Sequence, residues 1–357
     1  MNPNPLLGVF FHWLGGLSSA SFYVPYKRIR LWSWEIFWLT GGLFSWLFAP
    51  WLFAFIGSKD LFGVLSSIAP QTLLTCYACG AGWGLGGLTF GLTMRYLGLS
   101  LGMAVALGLT TVIGTLGPPI FEGTLGALAA KPGSIYTFAG IAVVIIGIII
   151  VALAGNAKEK QLANVSGDAK APDRGEFDLR KGFLIALFSG VMSSFFAFGL
   201  AAGDPIRAAS AAAGTGPLWV GLPVLCVVLA GGLTTNLIWC GYLIVKNRSA
   251  GEWAGQTAAV SDVKTPLLAN YLLAALGGTL WYFQFFFYTM GESQMGKYGF
   301  SSWTLHMASI ILFSTLWGFA LKEWQGTPAK TRLLVWTGIL TLVVSTVIIG
   351  IGNMLSK

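Results

Sequence analysis

The sequence predicts an all-α, polytopic membrane protein of about ten transmembrane helices, arranged as two inverted five-helix repeats. Three observations predict it. Only 10% of the residues are charged, against about 25% in a soluble globular chain. Apolar runs of about 20 residues, the length that spans a bilayer core, recur along the chain. The longest polar stretch, roughly residues 156–181, divides those runs five and five. This composition excludes an ordinary soluble enzyme, a disordered chain and a disulfide scaffold. Ten-residue segments of period-two alternation, the mark of an outer-membrane barrel, do not recur.

The spans are expected over 6–24, 36–56, 72–94, 100–121, 136–154, 182–202, 217–243, 266–290, 302–321 and 333–354. The first is preceded by no basic residue, so it is expected to insert uncleaved with its N-terminus outside. The third carries the pairs Gly80/Gly84 and Gly87/Gly91, each at four-residue spacing, which suits close helix contact where lipid offers no hydrophobic drive. Gly82-Trp-Gly-Leu-Gly86 in the same span imitates a dinucleotide loop, but no strand precedes it. Cys76 and Cys79 have redox spacing without the βαβ context that such chemistry needs. They are expected to pack as small apolar groups, like Cys226 and Cys240. Spans six and seven are separated only loosely, by Asp204, Arg207 and a run of alanines.

The cations orient the spans. Of the 21 Lys and Arg residues, 16 fall in the connections after spans one, three, five, seven and nine, and 5 on the other side. With ten spans, both termini are expected outside the cytoplasm. The scatter of cations between apolar runs is unlike the basic stripe of a nucleic-acid domain, so no nucleic-acid partner is expected. The partner is the lipid bilayer. Residues 1–157 and 182–357 read as the two halves, joined by a polar cytoplasmic linker at 158–181. Five is odd, so similar halves would cross in opposite senses, as in many secondary transporters. Short echoes agree: Gly16-Leu-Ser-Ser-Ala-Ser-Phe22 with Gly190-Val-Met-Ser-Ser-Phe-Phe196, and Leu85-Gly-Gly87 with Leu276-Gly-Gly278.

Ionisable groups within the hydrocarbon are costly and so mark function. His12 and His306, with Gln284, are expected in one layer of the outer half of the membrane. Histidine changes charge near neutrality, so the two are candidate proton carriers; the alternative is a neutral ring that bonds two helices. Trp281, Gln284 and Tyr288 share a face of span eight. They offer an aromatic surface and an amide, the groups that suit a sugar ring, unless the two aromatics are interfacial anchors. Ser19 and Trp13 of span one join them as candidate substrate contacts. Glu35, Arg95, Lys322 and Glu323 stand at cytoplasmic span ends, as anchors or as gate ion pairs. Glu122, Asp204 and Glu292 stand at outer ends and are expected to be solvated. Asn236 is read as a bond between helices. No set of ligands with metal spacing and no nucleophile–base set is present, so neither an enzyme nor a cofactor or metal is expected. The oligomeric state is not legible.

Several long strings resemble the L-rhamnose–proton symporter family of the drug/metabolite transporter superfamily of ten-helix carriers. They are Tyr23-Val-Pro-Tyr-Lys27, Trp32-Ser-Trp-Glu35, Gly91-Leu-Thr-Met-Arg-Tyr-Leu-Gly98, Trp281-Tyr-Phe-Gln-Phe-Phe-Phe-Tyr288, Trp303-Thr-Leu-His-Met307 and Leu321-Lys-Glu-Trp324. The resemblance runs from about His12 to the C-terminus. It implies a bacterial inner-membrane carrier that imports L-rhamnose, or a related 6-deoxy or aldose sugar, with a proton as coupling ion. His12, Glu35, Arg95, Trp281, Gln284 and His306 stand in matching strings. Family members carry asparagine at the positions of Gly87 and Ala201 and a cation at that of Asp204, so the exact sugar stays open. The rival reading is a drug/metabolite or nucleotide-sugar exporter or exchanger of the same fold. Cation export would want a carboxylate, and anion exchange a Lys or Arg, deep in a span, and neither is expected here.

Overall fold

The structure, a computed structural model, describes residues 3–97, 99–165, 179–256, 264–322 and 324–355. Those residues are helical wherever they are regular, with no strand among them. In chain order the helices are α1 (Pro5–Ser21), α2 (Tyr23–Tyr26), α3 (Trp34–Leu43), α4 (Ala49–Gly57), α5 (Leu61–Ser67), α6 (Pro70–Leu97), α7 (Leu99–Phe121), α8 (Leu125–Ala129), α9 (Ser134–Val165), α10 (Leu179–Ala202), α11 (Asp204–Ala212), α12 (Leu222–Asn247), α13 (Leu267–Gln294), α14 (Ser302–Ala320) and α15 (Ala329–Met354). A π-helical turn, Phe44–Phe48, joins α3 to α4, and 3₁₀ turns cover Ser249–Ala254 and Gly296–Ser301.

Six of these rods are long and apolar enough to cross a membrane, and a seventh follows if α5 and α6, bent by 105° to each other, count as one broken span. The chain is therefore a multi-pass membrane protein. The other three expected spans fall on α1, α7 and α13. Helix α1 has 17 residues, a turn short of a typical span. The apolar part of α7 is Val105–Phe121. Helix α13 has length, 28 residues, but Asn270, Gln284, Glu292 and its glycines dilute its apolar character. Those polar groups belong to the interior that α13 lines. Helix α9 continues to Val165, into the stretch read as linker, and 166–178 lie outside the described residues. Between the sixth and seventh expected spans the chain inserts α11, and α12 starts at Leu222.

Helix α6 packs between α10 and α12, α1 between α13 and α14, α10 on α7, and α9 on α15. The rod α3–α4 lies against α12 and α13. Glycine sets the closest of these approaches. A Cβ on Gly80 of α6 would lie within 2 Å of the Val228 carbonyl oxygen on α12, and one on Gly16 of α1 would meet the Ser309 backbone carbon of α14 at 2.6 Å. The largest apolar core runs through α4, α6, α10, α12 and α13, from Trp46 to Phe196, Leu225 and Phe285.

The connections bond in pairs. Lys59 N donates to Thr215 Oγ1 at 2.9 Å, and Asn4 N to Gln294 Oε1 at 3.3 Å. Trp32 Nε1 donates to the Glu252 carbonyl at 2.8 Å, Arg30 N to Asn270 Oδ1 at 3.2 Å, and the Lys158 ammonium lies 4.8 Å above the Trp324 ring.

Candidate functional site

The main cavity holds about 600 Å³ among α7, α10, α11, α13 and α14. It opens on the side of Glu122, Lys131 and Asp204, which line its mouth. Helix α11 owes its place to Asp204 and Pro205 at its start, and its turn aims Arg207 into the cavity. Arg207 Nη2 donates to Glu292 Oε2 at 2.7 Å, and its Nη1 donates to Asp204 Oδ1 at 2.5 Å and to the Leu200 carbonyl at 2.8 Å. One guanidinium thus ties α10, α11 and α13. Tyr288 stands one turn inward of Glu292 on the same helix and lines the same cavity.

Tyr288, 3% exposed, is the floor of this cavity together with Trp303. Trp303 donates through Nε1 to the Thr110 carbonyl at 2.9 Å, which fixes α14 to α7. Beneath the floor lie the two histidines. The Tyr288 ring meets His12 edge-on at 5.4 Å between centroids and His306 at 5.2 Å, and the two imidazoles are 6.2 Å apart. Both are fully buried, and none of their four ring nitrogens has a hydrogen-bond partner among the described residues. A buried unpaired donor or acceptor costs about 1–3 kcal/mol, so the pair is held in place at a price in stability. Glycine makes the room: a Cβ on Gly291 would lie 2.8 Å from His12 Cε1, and one on Gly15 would lie 3.0 Å from His306 Cε1. Ser309 Oγ donates to the His12 carbonyl at 2.8 Å and locks α14 to α1 at this level.

The structure therefore brings His12, His306 and Tyr288 into one cluster, with Gln284 buried on the same helix as Tyr288. Trp281 is elsewhere. It lies seven residues, about 10 Å along a helix, from Tyr288, and packs edge-on against Phe22 at 4.0 Å and Trp38 at 5.7 Å. The expected single stripe of Trp281, Gln284 and Tyr288 is divided between two spaces, because a face shared at i and i+7 still spans two turns. Trp13 packs on Phe313, and Ser19 is buried on α1. Glu35 accepts from Asn247 Nδ2 and Ser249 Oγ, both at 2.9 Å, so its hydrogen-bond partners are neutral rather than a gate cation. Lys322 is exposed just past α14. Glu323 and the Arg95 side chain lie outside the described residues. Asn236 joins helices as expected, accepting from Trp38 Nε1 at 3.0 Å. The four cysteines are free thiols.

Sequence reasoning missed the Arg207–Glu292 pair. Both carboxylates of this cluster were expected to be solvated, yet the Glu292 side chain is 24% exposed and that of Arg207 19%; only Asp204, at 75%, matches. Opposite charges at two outer span ends were the available signal, but 85 residues separate them. Trp303, which lines the cavity, was missed as well.

A multi-pass helical bundle with a polar-mouthed cavity that ends on buried ionisable groups defines a membrane carrier, not an enzyme. Over residues 1–355 the chain matches the family model described as L-rhamnose-proton symport protein (RhaT), and it belongs to that family. Its curated relatives include the L-rhamnose-proton symporters of Mannheimia succiniciproducens, 38% identical over 353 residues and 99% of each chain, and of Shigella sonnei, 38% identical over 347 residues and 97% of each. That of Cronobacter sakazakii is 37% identical over 347 residues, again 97% of each.

Proposed function

We propose that this chain imports L-rhamnose, or a closely related 6-deoxy or aldose sugar, together with a proton across a bacterial inner membrane by alternating access. The observation that carries the reading is the outer cavity ending on Tyr288, which touches both buried imidazoles. A neutral sugar enters the cavity, whose aromatic floor suits the C–H face of a pyranose. His12 and His306 carry the coupling proton. Each ligand must favour the moving state over the resting one, since equal affinity for both shifts nothing. A proton on either ring turns its unpaired acceptor nitrogen into a charged donor that must find a partner in the moving state, and sugar on Tyr288 closes the layer above. Trp281, Gln284, Ser19 and Trp13 act further along the path, and Glu35, Arg95, Lys322 and Glu323 at its cytoplasmic end. No resident cofactor takes part.

Ten crossings in two inverted halves, 1–157 and 182–357 about the linker 158–181, support this cycle and the placement in the drug/metabolite transporter superfamily. The helix contacts pair off under a shift of five spans: α6 on α10 with α13 on α1, α10 on α7 with α1 on α14, and α6 on α12 with α13 on α3. Helix α9 against α15, spans five and ten, maps onto itself. Each bonded pair of connections joins segments that ten crossings would put on one side of the membrane, and the cation bias of the sequence favours periplasmic termini. The charges facing the cavity favour a neutral substrate over a phosphate ester. Among its described lining residues, three carboxylates (Glu122, Asp204, Glu292) face two cations (Lys131, Arg207).

The test is addition of L-rhamnose to de-energised cells expressing the protein while external pH is recorded. Transient alkalinisation is expected. No pH change, with uptake insensitive to a protonophore, sinks proton symport.

A further inference from the structure

Inward of the histidine layer, beside Trp281, lies a second space of about 10 Å³, lined by Tyr26, Trp38, Gly42, Ser45, Trp46 and Trp281. A single water requires about 10–15 Å³ on this measure, so no sugar fits. Its chemistry is out of proportion to that size. Ser45 Oγ, Trp46 Nε1 and Trp281 Nε1 are all buried, and none has a hydrogen-bond partner among the described residues. Buried side-chain donors are normally paired, and here three unpaired ones belong to residues that line one void. Trp38, by contrast, spends its N–H on Asn236.

The local backbone is also specialised. Ser45 and Trp46 both belong to the π-helical turn Phe44–Phe48, a rare geometry concentrated at functional sites. Gly42, one turn earlier, lets the Trp46 indole fold back over the helix, since a Cβ there would lie 2.4 Å from Trp46 Cζ3. Trp46 also ends a line of rings that reaches the outer cavity. Centroid separations are 6.4 Å from Trp46 to Trp83, 5.1 Å from Trp83 to Phe196, and 6.0 Å from Phe196 to Trp303.

We infer that Ser45, Trp46 and Trp281 form a second sugar-binding station on the cytoplasmic side of the path, collapsed in this conformation and opened when the halves rock. The two indole N–H groups and the serine hydroxyl take hydroxyls of a neutral pyranose, and the rings of Tyr26 and Trp38 take its C–H faces. No carboxylate or cation lines the space, which restricts the ligand to an uncharged one. The station rests on the sugar-carrier reading and assigns that carrier the site from which sugar leaves.

The test uses Trp46→Phe, Trp281→Phe and Ser45→Ala, singly and combined, with Trp239→Phe as control, its ring being half-exposed on α12. Half-saturating L-rhamnose is measured in inside-out and right-side-out vesicles. Each lost donor is expected to raise it about fivefold to tenfold from the cytoplasmic face and less than about twofold from the outer face, with Ser45→Thr retaining affinity. Ser45→Ala removes an unpaired buried donor and little volume, so its sugar-free melting temperature holds or rises. Unchanged values at both faces, equal rises at both, or a fall in the melting temperature of Ser45→Ala alongside its activity overturns the station. If wild-type vesicles move no L-rhamnose, the transport reading fails separately. A panel of neutral sugars then decides: a sugar-induced melting shift in the wild type that the triple variant loses supports the station, and no shift with any sugar overturns it.

Discussion

Arg207→Met leaves the Glu292 carboxylate half enclosed with no cation to face. At 2.7 Å and an effective dielectric near 20, the gross attraction between the two is about 6 kcal/mol, most of which desolvation cancels. One-sided loss of a buried pair costs about 3–5 kcal/mol, and of an exposed pair about 0–1 kcal/mol. Side-chain exposures of 19% for Arg207 and 24% for Glu292 place this pair nearer the buried limit, so a cost of about 2–3 kcal/mol is expected. Asp204, 75% exposed, adds little. The assay is a double-mutant cycle with Glu292→Gln, read by reversible unfolding in detergent. The double variant is expected to recover about 1–2 kcal/mol relative to the sum of the single variants. A coupling within about 0.5 kcal/mol of zero, the scatter of independent sites, refutes the claim that this guanidinium holds α11 to α13.

Two glycines of α6 give opposite outcomes. Gly80→Ala drives a methyl into the Val228 carbonyl and is expected to abolish folded protein in the membrane, whereas Gly87, with open space around its Cβ position, accepts alanine with a gain of up to about 1 kcal/mol in the same unfolding assay. His12→Asn and His306→Asn are each expected to abolish proton-driven sugar accumulation while sugar–sugar counterflow persists at a measurable rate; full accumulation in both variants excludes the imidazoles as proton carriers. Trp303→Phe removes the bond to the Thr110 carbonyl and is expected to lower stability by about 1–2 kcal/mol, seen as a shifted unfolding midpoint. In a background without cysteine, Thr124→Cys is expected to react with an impermeant maleimide added to intact cells and Gln325→Cys only after permeabilisation; the reverse pattern inverts the orientation.

The sequence was most readable where hydropathy and depth alone decide. His12 and His306 are 294 positions apart, yet counting residues from the outer ends of their spans was enough to expect them in one layer, and their rings lie 6.2 Å apart. Helix α13 shows the limit of the same reasoning. Its polar residues depress its hydropathy because they face the interior, so the helix that lines both spaces is among those that least resemble a span. Arg207 and Glu292 were opaque for a different reason: burial of a charge depends on its partner, and no local pattern names a partner 85 residues away. Ser45 and Trp46 were hidden because a π-turn changes the register that face-counting assumes. Trp281 was expected beside Tyr288 but packs against Phe22 and Trp38 in a different space, since a helix face says nothing of how many cavities it crosses.

The two ends of the bundle interior are tied by unlike materials. At the mouth, Arg207 clasps Glu292 across α11 and α13; at the inner end, Phe22, Tyr26, Trp38 and Trp281 lock ring to ring. Parting charges is governed by counterions, which screen over about 8 Å at physiological ionic strength. Parting rings exposes apolar surface and so carries a positive heat capacity. Opening the charged end thus answers to salt, and opening the ring-locked end to temperature with a curved Arrhenius plot. Each end is loosened by a change in its surroundings that leaves the other unmoved.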